Sequence, residues 1–412
     1  MCQNSASVAA KGDAMTKGAP VVVGLVGARF AASLHAANYR RVYGVEVRVK
    51  GVTSRRPERD REFARTNGLE RSYRDLGELL ADSEVNLVDV CAPNLTHKDV
   101  CVAALRAGKN VICEKPMTGY FGDGEGFRAE GFPRRRMLEE ALAGADQILE
   151  AERGSEGTLM YGENWVYSPP VQKANALVAR GGGAIMRIVG EESHSGSHSS
   201  FAKEWRFAGG GSLLNKGCHP LGATLYLKAE EGVRRGKGPI RPREVVAAVG
   251  NLTRMEAFEA ESPKHIATGW NDCEDWGSLL LKFDDGSVAQ ITSTDTLLGG
   301  IQNVLSVHTS RSTILCNINP NTSVVAYAPD SSVFEGEYLR EKQETTEGWS
   351  FVNPDEDWIT GYPQELQDFC EAVAFGRPPK SGSALARDVI AVCYGAYLSA
   401  AEGRMVELAP YL

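Results

Sequence analysis

The chain has 412 residues, more than a single hydrophobic core usually organises, so two domains are expected. Hydrophobic residues make up 42% and charged residues 24%, which is globular composition and excludes a disordered or fibrous chain. Lys plus Arg number 45 against 53 Asp plus Glu, and the net charge of −8 argues against general nucleic-acid binding, which needs a basic surface to displace counterions.

In chain order, residues 1–19 carry Lys11 and Lys17 but no continuous apolar core. They read as a flexible tail rather than a secretory signal, with Met15 an alternative start. Residues 21–26 form a β-branched run that ends at Gly27, and a helix-like stretch follows over 30–43. Next come a strand over 46–53, a charged helix over 57–67 and a Leu- and Glu-rich helix over 76–82. A strand over 86–91, a helix over 96–107 and a strand over 110–113 complete the series. Strands and helices alternating at this spacing predict right-handed βαβ units on a parallel sheet. The unbroken apolar run 87–91 suits a strand buried on both faces. Residues 119–136 fit neither pattern, being rich in glycine and ending in Arg134, Arg135 and Arg136. A connection this long reads as an active-site lid or as a solvated local insertion.

From about Gly157 the pattern changes. Runs over 278–283 and 287–292 flank Asp284-Asp285-Gly286, a strong hairpin signal. Further strands are expected over 305–310, 312–316 and 323–328, and helices over 365–375 and 384–401. No apolar run reads as long enough to span a bilayer. The nine cysteines are odd in number, include no Cys-x-x-Cys pair, and place Cys91, Cys101, Cys113 and Cys393 in apolar stretches. Buried free thiols in a reducing compartment account for them, so a cytoplasmic location is expected.

The turn after the first strand, Gly27-Ala28-Arg29-Phe30-Ala31-Ala32, approximates the Gly-x-Gly-x-x-Gly turn that lets a helix N-terminus face a pyrophosphate. Gly27 fits the first position and Ala32 the third, while Arg29 stands where the second glycine normally admits phosphate. Its guanidinium could itself reach a phosphate oxygen. At the end of the second strand an acid usually holds the ribose 2′-hydroxyl of NAD. Here Thr53-Ser54-Arg55-Arg56 offers a hydroxyl and cations, which tilts the expected cofactor, NAD(P), toward NADP.

The ordered set Pro93-Asn94-Leu95-Thr96-His97, then Glu114-Lys115-Pro116, then Gly209-Gly210-Gly211-Ser212 and Asn215 to His219, resembles the Gfo/Idh/MocA oxidoreductases. The likeness runs from residue 20 into the Asp368-Phe369 … Gly376-Arg377 helix. It implies a Rossmann dinucleotide-binding domain over 20–150. Residues 151–412 would form an α+β domain with a large open mixed or antiparallel sheet, binding substrate and joining subunits, with the last helices packing back. It further implies that Lys115 lies beside the nicotinamide and the substrate carbinol, that Glu114 helps to hold the cofactor, and that the bond before Pro116 is cis. The family's Asp-x-x-x-His pair corresponds to Asn215 and His219. His219 would be the acid/base for the hydroxyl proton, and Lys115 would stabilise alkoxide charge. Asn215 is the departure: a neutral amide cannot favour a protonated imidazole as a carboxylate does, so His219 is expected to be less basic here.

The cofactor would meet Gly27, Arg29, Phe30, Ala31, Ser54, Arg55, Pro93, Asn94, His97, Glu114 and Lys115. The substrate side would add Asn164, Trp165, Tyr167, His194, His198 and Trp205 to Lys115, Asn215 and His219. His194 and His198 raise a zinc site, but Gly196 and the serines favour a loop lining a sugar pocket, so no metal is expected. The implied activity is hydride transfer between NAD(P) and a secondary hydroxyl of a sugar, glycoside or cyclic polyol. Two alternatives share these residues: a redox-neutral glycoside hydrolase or lyase working through a keto sugar, and a non-catalytic dinucleotide-responsive regulator. Partners are expected to be a small carbohydrate or polyol and further copies in a homodimer or homotetramer, with neither nucleic acid nor membrane.

Overall fold

Six short runs, most of them apolar, assemble a parallel sheet in the computed structural model, which describes residues 18–412 apart from 125, 198, 320–323 and the side chain of Ser200. They are β1 (Val21–Val26), β2 (Val47–Thr53), β3 (Arg71–Ser72), β4 (Leu87–Val90), β5 (Asn110–Glu114) and β6 (Leu159–Gly162), in spatial order β3-β2-β1-β4-β5-β6. Every neighbouring pair is parallel. All residues of β1 and β4 are buried, as strands covered by helices on both faces must be. The strand order reverses between β1 and β4, and ligands of open α/β sheets bind at the carboxyl ends of strands at such a switch point. This is the expected Rossmann arrangement. It runs further than expected: the boundary at 150/151 falls inside the helix Arg134–Arg153, and β6 closes the sheet beyond it. A four-residue apolar run such as β6 carries no period that assigns it to one sheet or the other.

The second sheet has seven strands: β7 (Ile185–Ser193), β8 (Pro242–Gly250), β9 (Trp276–Phe283), β10 (Val288–Thr294), β11 (Gln302–Thr309), β12 (Thr313–Asn317) and, after the short ribbon β13 (Val324–Ala328) with β14 (Gly348–Val352), β15 (Val406–Glu407). Its order is β12-β11-β7-β10-β9-β8-β15. β7 and β10 run parallel and the other neighbours antiparallel, so the sheet is mixed. The expected hairpin is β9–β10, with Gly286 at φ +87° in the turn. Leu279, Leu281 and Phe283 point to the buried face, which the helices Cys218–Arg234 and Ser383–Glu402 cover, while Leu280 is half exposed on the other. β13 pairs with β14 rather than joining the large sheet, and position 323, where that strand was expected to begin, lies outside the described residues. The helix Ser383–Glu402 is long and apolar enough by length and composition to cross a membrane, against the sequence expectation, but 67% of its most apolar window is buried in the protein. It is the core helix between β8 and the helix Arg134–Arg153. All eight described cysteines are free and buried.

The end of the chain returns to the beginning. The helix Tyr362–Phe375 lies against the helix Phe30–Tyr39. Asn38 donates to Asp357 Oδ2 at 2.8 Å, Arg41 pairs with Asp355 at 2.6 Å, and Gln367 exchanges hydrogen bonds with the backbone of Tyr43. The helix ends at Tyr39, short of the expected Tyr43, and Arg41 and Tyr43 make their contacts from beyond its end.

Candidate active site

At the switch point Gly27 adopts φ +116°, and a Cβ there would lie 2.4 Å from the carbonyl oxygen of Cys91. Only glycine lets the two strand ends approach this closely. The helix Phe30–Tyr39 begins at Arg29 with no side-chain cap, so its first N–H groups remain available to an anion. That donor set suits a dinucleotide pyrophosphate. Phe30 is 71% exposed beside it and Ala31 half-buried. The Arg29 guanidinium sits 5.2 Å from the Phe201 ring centroid. Burial first, and then the charges of Arg59 and Arg56, lower its proton affinity, so three cations converge here. Arg55 is exposed. Ser54 is not free: its N–H and hydroxyl both donate to Asp60, at 2.7 and 2.5 Å. An acid does therefore stand near the end of β2, missed because it enters from the helix Pro57–Asn67 rather than from the strand, and it is fully buried.

Pro93 is exposed on the next loop, and Asn94 Nδ2 donates to the Ala208 carbonyl and to Asn215 Oδ1. His97 is turned inward. Its ring nitrogens lie 2.8 Å from the carbonyl oxygens of Pro116 and Ala92, which ties two loops together and leaves neither nitrogen for a dinucleotide. Glu114, at the end of β5, faces His35 Nε2 at 3.0 Å, and His35 Nδ1 lies 2.9 Å from Asp89. Burial opposes a charge on His35, but Asp89 and Cys91 outweigh it and raise its proton affinity well above the usual histidine range. Protonated His35 lowers that of Glu114 against the effect of burial. The Lys115–Pro116 peptide bond is cis, as the resemblance implied.

Lys115 follows directly on this strand end, is half-buried, and donates through Nζ to the Asn215 carbonyl at 2.9 Å. Burial works against its charge, yet Cys218, Glu192, Glu114 and Glu163 together raise its proton affinity, so the ammonium persists. His219 lies in the first turn of the helix Cys218–Arg234, its ring stacked on Trp165 with centroids 6.1 Å apart and planes 17° apart. Nδ1 is 2.7 Å from Glu163 Oε1, and Nε2 is 4.0 Å from Glu192 Oε2. Burial first, then the Lys115 ammonium, depress the His219 pKa to about 4. Burial raises the proton affinity of both Glu163 and Glu192. One oxygen of each, Glu163 Oε2 and Glu192 Oε2, is buried without a hydrogen-bond partner. Glu163, Cys218 and His219 offer three ligand atoms within 4.8 Å of one another, but the Lys115 charge opposes a cation among them.

Asn215 does not meet the His219 ring. Its side-chain amide donates to the Gly210 and Gly211 carbonyls at 2.7 and 3.0 Å, and its oxygen accepts from Asn94. It holds the loop whose backbone receives Lys115, and the carboxylate beside the histidine comes from Glu163. The low basicity expected for His219 thus has another origin, burial and Lys115, than the missing aspartate.

Of the remaining candidates among the described residues, Trp165 alone is brought to His219. Asn164 is buried and donates to the Thr360 carbonyl. Tyr167 packs on Phe369, donates to Asp368 and accepts from Ser381 N, so it belongs to the core. His194 Nδ1 accepts from Gly196 N, which fixes a turn, and His198 lies outside the described residues. Trp205 is buried, donates to the Tyr120 carbonyl and carries Arg134 over its ring at 4.6 Å. Within the 119–136 segment, Tyr120, Phe127 and Phe132 form an aromatic cluster, and Ala129 N donates to Asp272. Glu163 and Glu192 are the carboxylates beside His219 that sequence reasoning passed over. The one available signal was two acids immediately after or within apolar strand runs.

A dinucleotide turn at a sheet switch point, together with a half-buried lysine and a buried histidine, defines a nicotinamide-dependent oxidoreductase. The family model described as "Oxidoreductase family, NAD-binding Rossmann fold" matches residues 21–126. The chain is 25% identical over 326 residues to a levoglucosan dehydrogenase of Pseudarthrobacter phenanthrenivorans, covering 75% of this chain and 77% of that one. It is 22% identical over 386 residues to a myo-inositol 2-dehydrogenase of Thermotoga maritima, covering 94% and 98%. Among solved structures, GenD2 from gentamicin A biosynthesis in complex with NAD superposes with a TM-score of 0.76 at 24% identity, over 95% and 97% of the two chains. Residues 21–126 thus match the Gfo/Idh/MocA oxidoreductase family model, and the chain is similar to these dehydrogenases along most of its length.

Proposed function

We propose that the chain is a dehydrogenase acting on a secondary hydroxyl of a sugar, glycoside or cyclic polyol. The observation that carries this reading is that the half-buried Lys115 ammonium, at the carboxyl end of the sheet that carries the dinucleotide turn, stands near enough to the buried His219 ring to keep it neutral. A bound nicotinamide supplies the hydride acceptor or donor. Gly27, the open N-terminus of the helix Phe30–Tyr39 and Arg29 hold the dinucleotide. His219 Nε2 takes the hydroxyl proton, because Nδ1 is engaged by Glu163. Lys115 stabilises the negative charge that develops on the same oxygen. The names of the two curated relatives, levoglucosan and myo-inositol dehydrogenases, point to the same chemistry.

The cofactor reading tilts toward NADP. Arg29, Arg56 and Arg59 form a cationic group, and Asp60 is turned inward by its two bonds to Ser54. KM measured for both dinucleotides tests this, and a strong preference for NAD refutes it. The activity itself is tested by following absorbance at 340 nm over a panel of sugars, glycosides and inositols. Lys115→Met should lower kcat by roughly 10²–10³-fold with little effect on cofactor affinity. An unchanged kcat overturns the assignment.

A further inference from the structure

We infer that Glu163 is the positioning partner of His219: it fixes the Nδ1–H tautomer, keeps Nε2 free as the base, and receives the Nδ1 proton once Nε2 has been protonated. This rests on His219 being the acid/base of the proposed dehydrogenase.

The arrangement is built from three sides. Glu163 follows directly on β6, is fully buried, and is also held by the Trp165 N–H at 3.4 Å. The Trp165 ring covers one face of the imidazole. On the helix that carries His219, the residue one turn later is Gly222, where a Cβ would lie 2.7 Å from Glu163 Cγ and 3.2 Å from Oε2. A glycine inside a helix costs about 1 kcal/mol relative to alanine. Here its missing side chain is the slot through which the carboxylate reaches the ring. Asn215 occupies the position at which the resemblance expects an aspartate, so this chain supplies the carboxylate from the end of β6 instead.

The proton count follows. In the proton-poor pair Glu163 is ionised, Nδ1–H donates to it, and Nε2 carries a lone pair. In the oxidation direction the substrate O–H bond breaks and an N–H bond forms at Nε2. The O–H electron pair becomes the second C–O bond as the carbinol C–H departs with its two electrons to the nicotinamide. The Nδ1 proton then crosses the 2.7 Å bond to Oε1, and the pair holds one additional proton. Lys115 disfavours a lasting imidazolium, while burial gives Glu163 a raised proton affinity. Both effects draw that proton to the carboxyl group.

The test uses the full chain labelled with ¹⁵N-histidine and free of cofactor, the His219 signals being those lost in His219→Asn. Nδ1–H with unprotonated Nε2 is expected near neutral pH, and Glu163→Leu should shift the ring to the Nε2–H tautomer. A wild-type Nε2–H ring overturns the inference whether or not a substrate is known. With an active polyol, Glu163→Gln should lower kcat roughly 10²-fold with KM within about threefold. It should also move the rising limb of the kcat/KM profile to lower pH, because the carboxylate no longer opposes Lys115. Glu163→Asp should recover part of the loss. Gly222→Ala, which removes no ionisable group, should act in the same direction while the Tm is maintained. A limb and kcat unmoved by Glu163→Gln in an active enzyme reduce Glu163 to a structural group and overturn the inference alone. A wild type inactive on every polyol overturns the dehydrogenase reading instead, with the tautomer still deciding the pairing.

Discussion

Replacing Asn215 by aspartate would restore the residue that the family pattern expects, and the structure says the change is harmful. The amide nitrogen donates to two carbonyl oxygens, of Gly210 and Gly211, and an ionised carboxylate has no proton for either. Asn215 is half-buried, so each lost bond costs about 1 kcal/mol, and a negative oxygen facing two carbonyls adds a similar amount, for a total of roughly 2–3 kcal/mol. At roughly 2–4 °C per kcal/mol the Tm should fall by roughly 4–12 °C. Because the Asn215 carbonyl is the acceptor for Lys115 Nζ, the disturbed loop also misplaces the ammonium, and kcat/KM should fall together with the Tm. Lowering the pH toward the carboxyl's own range returns a donor and should shrink the defect. Thermal unfolding and steady-state kinetics of Asn215→Asp over a pH series provide the assay. A variant as stable as wild type and at least as active would refute the assignment of Asn215 to loop support.

Gly27→Ala places a Cβ against the Cys91 carbonyl at a positive φ, a strain of about 1–3 kcal/mol, so cofactor Kd should rise roughly 10–100-fold by titration of the dinucleotide fluorescence. Glu274, which accepts from Gly211 N, Leu213 N and the Tyr397 hydroxyl, is pushed by burial from 4.5 up to about 7. The folded chain therefore keeps a proton that the unfolded chain releases, and stability from this group declines as pH rises through that window. Glu274→Gln should flatten the fall in Tm between about pH 5 and about pH 7, and parallel slopes would count against it. Lys228 is buried between Glu231 at 2.6 Å and Asp285 at 2.9 Å. Lys228→Met leaves both acids without it and should cost about 3–5 kcal/mol, read as a lowered Tm.

The parallel sheet was legible because its evidence is local. An apolar run such as 87–91, a glycine such as Gly27 and the spacing of intervening helices are each properties of a few neighbouring residues. Lys115 was legible for the same reason, embedded in Glu114-Lys115-Pro116. Partnerships were not. His219 and Glu163 are separated by 56 positions and meet only because Gly222 leaves a slot between a strand end and a helix. Tyr167 and Trp165 stand two apart in one short helix, and composition cannot tell which ring faces His219 and which faces Phe369. Asp60 escaped notice because a side chain from the following helix, not a residue of β2, closes the strand end. His97 has the residue type of a ligand contact, and only the two carbonyls at its nitrogens show it to be a fastener.

The closure of the last helices onto the first one governs the order in which the molecule can be completed. Asn38 and Arg41 find Asp357 and Asp355 more than 300 positions later in the chain. During synthesis the N-terminal sheet therefore emerges with one flank uncovered and acquires its cover only when the last helices are released. Contacts at such separation slow folding and leave apolar surface open while they wait. Shortening the chain before residue 355 would thus harm the dinucleotide half of the molecule, although the cut lies far from it in sequence.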